Sequence, residues 1–311
     1  MKTGIYLSYV GLGANLMHLS YCHQIAKKNG PVTIITLCKN LEAALIDDPL
    51  IDKVFYIDQY HKKLIDIFNL ANVLKKFDLK NLLIFYPSIR LYLSAKLAGI
   101  KNIKIYNSFK KKNLHLVKAA KKLTEDFLGI NNCPTETHFF VNKDKLIKIN
   151  QGYKNKFKIV IGAGSSGPTN RWGAKNFSKL INQLNKSDDY FFFLLCGPNE
   201  RQIENEIISN LDKENFIPLS DKNIENLIPY LCASDMYVGN DSFGSHITSQ
   251  SGKKSIVMLL DAPRAYTDYS KNYHRMVPKG FNIDEITHGT NADPNLITVE
   301  EVIKIINQFR N

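Results

Sequence analysis

Val238-Gly239-Asn240-Asp241-Ser242-Phe243-Gly244-Ser245-His246 is the stretch on which the fold is read. It closes an apolar strand over 235–239, makes a sharp polar turn, and opens a helix that runs from about Ser245 to Ser251. The next apolar run, 255–260, reads as another strand, so the unit is strand, turn, helix, strand, as in a parallel sheet. A strand that ends in Gly-Asn-Asp-Ser and enters a helix points free backbone N–H groups, and the positive end of the helix dipole, at whatever lies above the sheet edge. Such a place suits a phosphate or diphosphate. A plain strand-to-helix connection capped by Asp or Ser accounts for the same residues, so the neighbouring turns must decide between the two.

Outward from this stretch the same alternation fills the chain. In the first half, strands are expected over 4–10, 32–37, 53–57, 81–85 and 102–106, and helices over 15–28, 39–47, 61–76, 88–98 and 113–128. A looser stretch over 129–155, rich in Asn, Lys and Thr, reads as the interdomain linker. The pattern then restarts with strands over 157–161, 190–196 and 216–217, helices over 174–186, 199–211 and 223–234, and a final amphipathic helix over 298–309 with a Thr298/Glu301 capping box. The expected architecture is α/β with two parallel-sheet domains, 1–150 and 151–297, followed by the helix 298–311.

Three turns in the second half follow strands. Gly162-Ala163-Gly164-Ser165-Ser166-Gly167-Pro168-Thr169-Asn170-Arg171-Trp172 is rich in small residues and hydroxyls and ends in a guanidinium that suits a diphosphate, whereas Trp172 reads as packing the base of the loop. It lacks the Gly-Lys-Ser/Thr ending of a P-loop. Cys196-Gly197-Pro198-Asn199-Glu200 places a carboxylate at a helix start, either complementing the dipole or bonding a ribose or sugar hydroxyl. With the Asp241 turn, these make one rim at the carboxyl ends of parallel strands, where such sheets bind ligands. In the first half, Gly11-Leu12-Gly13-Ala14-Asn15 follows a strand but lacks the third glycine of a dinucleotide fingerprint, and Leu37-Cys38-Lys39 stands where the acidic residue belongs. NAD is therefore disfavoured, and the glycines read as a tight turn approaching a ligand.

A chain of 311 residues with 44% hydrophobic content suits two cores. Met1-Lys2-Thr3 leads directly into a strand-like run, and no apolar run reaches about 20 residues, so neither a signal peptide nor a spanning helix is expected. The five cysteines are scattered and read as buried thiols of a cytoplasmic protein, with no metal site. The net charge of +12 lies in the first half: residues 1–155 carry 24 Lys and Arg against 11 Asp and Glu, whereas 156–311 carry 17 against 18. Lys110, Lys111 and Lys112 belong to the densest basic cluster. This asymmetry points to an anionic acceptor or membrane surface; without a recognised motif, nucleic acid is not expected as a partner.

The ordered set Gly162 to Ser166, Arg171-Trp172, Asn176-Phe177, Leu180-Ile181, Cys196 to Glu200 and Ser234 to His246, with Gly-Leu-Gly-x-Asn-Leu-Met at the start, resembles the heptosyltransferase family, glycosyltransferase family nine. The resemblance implies a GT-B fold, two Rossmann-like domains facing across a cleft, with the nucleotide-sugar donor on the second, the acceptor on the first, and the last helix packing back on the first. It implies metal-independent, inverting sugar transfer from a nucleotide-diphosphate sugar, ADP- or another, to a lipopolysaccharide or other surface-glycan acceptor, in the cytoplasm and at the inner face of the membrane, with no further cofactor. The implied donor residues are Gly164, Ser165, Ser166, Arg171, Gly197, Glu200, Asp241, Ser242, Phe243, Gly244 and His246. Those on the acceptor side are Gly11, Gly13, Asn15 and Lys110 to Lys112.

Three positions depart from the family's pattern. Ala14 stands where the family has an aspartate taken as the general base, Phe243 where it has a glycine, and Asn170 where it often has a lysine. Neither Ala14 nor Asn15 can accept a proton usefully. Another residue, with His18 and His23 as candidates, then serves as base; or the position has been altered; or the chain binds without turnover. A nucleotide-sugar epimerase on a similar architecture is the alternative enzyme class.

Overall fold

The computed structural model describes residues 2–58, 63–106, 115–165 and 167–310, and the chain divides into two compact units, Met1–Phe140 and Val141–Asn311.

In the first unit β1 (Thr3–Leu7), β2 (Val32–Thr36), β3 (Ile51–Tyr56), β4 (Asn81–Ile84) and β5 (Asn102–Ile105) form one sheet in the order β3-β2-β1-β4-β5, with parallel neighbours throughout. Helices α1 (Leu12–Leu16), α2 (Leu19–Asn29), α3 (Leu41–Ala44), α4 (Ile65–Lys75), α5 (Ile89–Leu97) and α6 (Leu116–Leu128) connect or flank the strands. The central strand β1 is buried along its whole length, which is why it reads as a continuous apolar run rather than an alternating one.

The helix expected over 15–28 is two helices. It begins at Leu12, inside the glycine-rich stretch, and breaks at Met17-His18. Side-chain bonds explain the break. Asn15 Nδ2 donates to Tyr9 O (2.9 Å) and Gly11 O (2.7 Å), and His18 Nδ1 bonds Ala14 O (2.8 Å), so polar side chains compete with the ladder. Gly11 has φ −73° as the residue capping α1. The expected tight glycine turn is therefore a helix start that needs no left-handed backbone.

In the second unit the sheet is β11-β10-β9-β6-β7-β8, again parallel, from β6 (Phe157–Gly162), β7 (Tyr190–Leu195), β8 (Phe216–Pro218), β9 (Met236–Asn240), β10 (Lys254–Met258) and β11 (Tyr273–Met276). Its helices are α7 (Lys143–Gly152), α8 (Ala174–Leu184), α9 (Arg201–Ile208), α10 (Ile224–Ala233), α11 (Phe243–Gln250) and α12 (Val299–Arg310). Helix α7 lies within the stretch read as linker. It buries no residue and packs on α10, with Asn142 Oδ1 accepting from Lys145 N (3.0 Å) and Lys145 pairing with Glu225 (2.7 Å). Its large apolar positions, Leu146, Ile147 and Ile149, are crowded into four residues and make no helical stripe to reveal it. Strand β11, four residues at the sheet edge, was likewise not expected.

Trp172 is fully buried at the centre of the second core, edge-on to Phe177 at 5.0 Å. The buried face of α12, Val299, Val302 and Ile306, joins that same core, and α12 packs on α8 and β10. The buried face of the amphipathic stripe expected over 298–309 thus lies in the core of the second unit. Trp172 Nε1 donates to Ile297 O (2.9 Å), fastening the chain just before α12 to the loop after β6.

The first unit ends in a segment stapled to α2. Ser20 Oγ lies 2.8 Å from Pro134 O and 3.0 Å from Glu136 O; His23 bonds Thr137 Oγ1 (2.6 Å) and Asp48 Oδ2 (2.7 Å). His23 and Asp48 are both 1% exposed. Phe139 is buried next to them in sequence. These bonds hold the chain against the first unit as far as Phe140, well into the stretch read as linker.

Candidate functional site

The site is built where β6, β7 and β9 end. Each strand is followed by a turn, and parallel pairing puts all three turns on one edge. Gly162 and Gly239 are register partners. A Cβ on Gly162 would lie 1.8 Å from the Tyr237 hydroxyl, and one on Gly239 would lie 2.4 Å from Gly162 O. Gly162 therefore makes room for the Tyr237 ring, and Gly239 for the Gly162 backbone; the Tyr237 hydroxyl donates to Asn240 O (2.6 Å) and stands 3.0 Å from Ser242 Oγ.

Asn240 is the bracket of this edge. It is fully buried; its Nδ2 donates to Ala163 O (2.7 Å) and its Oδ1 accepts from Trp172 N (2.8 Å). The sequence reading passed over it as part of the turn, although a buried Asn at a strand end is the residue type that can donate and accept at once.

Glu200 joins the other two turns. Its Oε1 accepts from Ser165 N (2.8 Å) and Arg171 Nη2 (3.0 Å), and its Oε2 accepts from Gly197 N (2.7 Å). Arg171 also bonds Ser165 O through Nε (3.2 Å) and Nη2 (2.8 Å). A Cβ on Gly164 would lie 2.0 Å from Glu200 Oε2, so Gly164 exists to admit this carboxylate. The structure thus gives Glu200 and Arg171 to each other and to the loop backbone. The sequence reading offered Glu200 either to the helix dipole or to a hydroxyl, and Arg171 to a diphosphate. They hold the loop that borders the edge, and the two opposite charges largely cancel.

Ser242 caps α11 with extended backbone (φ −152°) and makes no side-chain cap bond. The first-turn amides of a helix have no intrahelical acceptor. Here Ser245 N turns back to Ser242 O (3.1 Å), and the amides ahead of it, of Phe243 and Gly244, keep the helix-start geometry that favours an anion. Gly244 is required by packing, since its Cβ would lie 2.3 Å from Leu195 Cδ2; Phe243 beside it is half-buried.

Asp241 and His246 sit behind this turn. Burial pushes the Asp241 carboxyl up to about 6, with Arg275 opposing. Its side chain is 8% exposed and Oδ1 has no hydrogen-bond partner. Burial also lowers the His246 imidazole to about 3, so the ring stays neutral. Its Nδ1 is 2.9 Å from Tyr269 Oη, the two rings stack at 5.7 Å, and Nε2 lies 3.9 Å from Asp241 Oδ1, beyond hydrogen-bond reach. Tyr269 Oη in turn is 3.1 Å from Tyr273 Oη, which is 3.4 Å from Ser245 Oγ. The tyrosine pair that positions His246 was missed in the sequence; its one signal is the four-residue spacing just before an unexpected strand.

The residues of the first unit are placed differently. Gly11, Gly13 and Ala14 lie at the start of α1, Gly11 exposed and the other two half-buried. Asn15 is buried: besides its bonds to Tyr9 and Gly11 it accepts from Thr36 Oγ1 (2.9 Å). His18 is 1% exposed, and burial lowers it to about 4. Because Ala14 O can only accept, Nδ1 carries the proton, and Nε2 accepts from Tyr106 Oη at 3.2 Å. The ring stacks on Tyr9 at 5.0 Å. His18 and His23, the candidates for a substitute base, are thus both enclosed with their two nitrogens bonded. Ser166 and Lys110, Lys111 and Lys112 lie outside the described residues. Among the described residues no group of three or more His, Cys, Asp or Glu converges in the manner of a metal site.

Known proteins resemble this chain in both sequence and fold. Lipopolysaccharide heptosyltransferase 1 of Campylobacter coli is 23% identical over 162 residues, 50% of this chain and 47% of that protein, so the chain spans about half the length of the curated relative it matches. The solved structure of E. coli ADP-heptose LPS heptosyltransferase II superposes with a TM-score of 0.76 at 15% identity, covering 99% of this chain and 98% of that one. The E. coli heptosyltransferase WaaC with ADP gives 0.73 at 13% identity, covering 99% of each. These likenesses place the fold in the GT-B class of paired Rossmann-like units. The sequence profile of glycosyltransferase family 9 (heptosyltransferase) matches residues 97–273, more than half of the chain, and the chain belongs to that family.

Proposed function

We propose that this protein is a glycosyltransferase that moves a sugar from a nucleotide-diphosphate sugar to a lipopolysaccharide or other surface-glycan acceptor. The observation that carries the reading is the edge of the second sheet, where Asn240 and the Glu200–Arg171 pair fasten three turns beside the open start of α11. The diphosphate lies against the amides of Phe243 and Gly244, whose fixed dipoles stabilise the charge that grows on the leaving group. Stabilisation by fixed dipoles supports a metal-independent reaction, and family membership supports inversion. The family relation, and the relative solved with ADP, favour an ADP-sugar as donor. The acceptor belongs to the first unit, whose basic composition suits an anionic glycan or glycolipid at the cytoplasmic face of a membrane.

The test is thermal unfolding in the presence of ADP, UDP, GDP and their sugars, since a ligand bound to the folded state raises its stability by mass action. The midpoint should rise with one of these, ADP or an ADP-sugar first. A rise with NAD and none with any sugar nucleotide would overturn the reading. Product analysis with donor alone separates transfer from epimerisation.

Ala14 favours a second reading, a nucleotide-sugar binder without turnover. A methyl group stands at the family's base position, and the adjacent polar residues, Asn15 and His18, are fully engaged. If Ala14→Asp gains transfer activity while donor affinity is unchanged, the binder reading gains; robust activity with Ala14 in place removes it.

A further inference from the structure

Helices α4 and α5 pack side by side on one face of the first sheet. Leu70 and Leu74 of the one, and Leu91 and Ala95 of the other, enter the same core cluster. Their outer sides therefore look the same way. An outward-facing helix side is ordinarily polar, as α4 is from Asn69 onward, but its start and the length of α5 are not. Leu64, Ile65 and Phe68 at the start of α4, and Ile89, Leu93 and Leu97 along α5, are between 43% and 74% exposed. They are six of the eleven large apolar side chains exposed among the described residues, so the exposure is concentrated and not scattered. On α5 the spacing is i, i+4, i+8, one continuous stripe. Lys96, seven residues after Ile89, falls on that stripe, and exposed Arg90 and Lys63 border the patch.

The charge of the first unit as a whole selects the partner, although the first turn of α4 carries Asp66. The first unit carries 20 Lys and Arg against 10 Asp and Glu, and the 46 residues from 79 to 124 contain eleven Lys and Arg and no acidic residue. Helix α5 itself has no acidic side chain. A second copy of the same face would oppose Arg90 and Lys96 to themselves, and an apolar protein groove would leave them uncompensated. A surface that is apolar a few ångströms down and negative at its skin satisfies both features.

We propose that the outer face of α4 and α5 is a membrane-docking surface that inserts Leu64, Ile65, Phe68, Ile89, Leu93 and Leu97 among the acyl chains of an anionic bilayer while Lys63, Arg90 and Lys96 meet its phosphates. The surface is defined by the first unit alone, and it stands whether or not the transferase reading does. Lateral confinement of the protein to a membrane follows from it.

The experiment is cosedimentation of the full chain with phosphatidylcholine vesicles, with and without about one quarter phosphatidylglycerol, at low and high salt. Binding is expected to the anionic vesicles and to weaken with salt. Arg90→Gln with Lys96→Gln should lower the partition coefficient by roughly 25-fold, at about fivefold per charge. Ile89→Ser with Leu93→Ser and Leu97→Ser should lower it at least as much; since all three positions face outward, an unchanged unfolding midpoint shows that the fold is kept. All five native cysteines are buried, so Leu93→Cys carrying an environment-sensitive fluorophore reports insertion directly, as a blue shift on anionic vesicles. No binding to anionic vesicles at low salt would overturn the proposal. So would equal binding of the triple-serine variant, an unshifted fluorophore, or a wild-type dimer that the triple-serine variant dissolves into monomers.

Discussion

Asn15 and Asn240 do the same work at the carboxyl edges of two different sheets. Each is a buried amide that donates to backbone carbonyls at the end of a strand and accepts from a neighbouring turn, from Thr36 Oγ1 in one case and from Trp172 N in the other. Around the two brackets the edges diverge. Beside Asn15 the space is filled by His18, Tyr9, Phe85 and Tyr106, an aromatic cluster with its polar atoms bonded inward. Beside Asn240 the chain leaves α11 uncapped and keeps a half-satisfied carboxylate, Asp241, behind it. The same local device thus stands beside a filled aromatic corner in one unit and beside a helix start without a side-chain cap in the other.

The largest expected effect tests the brackets themselves. Asn240→Ala strands the buried Trp172 amide and Ala163 carbonyl, and should cost about 2–5 kcal/mol by denaturant unfolding. It should also abolish any midpoint rise with nucleotide. Asn15→Ala should destabilise comparably yet leave that rise intact in the folded fraction. If the two variants lose the nucleotide response equally, the edges do not differ as described.

Asp241 gives the next effect. Its folded pKa of about 6 lies above the ordinary carboxyl value of 3.8. Stability that is present below about pH 4 is therefore lost as the pH rises through 6, up to about 3 kcal/mol from this group. Asp241→Asn should flatten the stability profile between pH 4 and 6 and stabilise the protein at pH 8 by about 1–3 kcal/mol. An unchanged profile would show that water reaches the carboxyl. Glu200→Gln should cost less, about 1–2 kcal/mol, because Arg171 keeps its bonds to Ser165 O; proteolysis within 163–171 should report the loosened loop. Ala14→Asp should change stability least, by under about 0.5 kcal/mol, since the site is half-buried at a helix start. Its readout is transfer rate at unchanged donor affinity.

The sequence carried the two parallel sheets because buried strands read as apolar runs, and β1, β6 and β9 are buried along nearly their whole length. It also carried the convergence of three strand-end turns, because parallel pairing puts all such turns on one edge. It was silent on α7, which buries nothing, and on β11, which is short and lies at the edge. The roles of Glu200, Arg171, His18 and Asn15 were legible as chemistry but not as partnership. A carboxylate or an imidazole announces what it can bond, while the group it does bond comes from a loop far away in sequence, 35 residues for Glu200 and Ser165, 88 for His18 and Tyr106.

The fit of Tyr237 against Gly162 has a consequence for descent. With an added Cβ on Gly162 only 1.8 Å from the phenol, no side chain is admissible at 162 until the residue at 237 shrinks. Once Tyr237 shrinks, Asn240 O and Ser242 Oγ lose their common neighbour. Substitutions at 162 and 237 are therefore accessible only jointly, and homologues should inherit this glycine and tyrosine together or replace them as a pair.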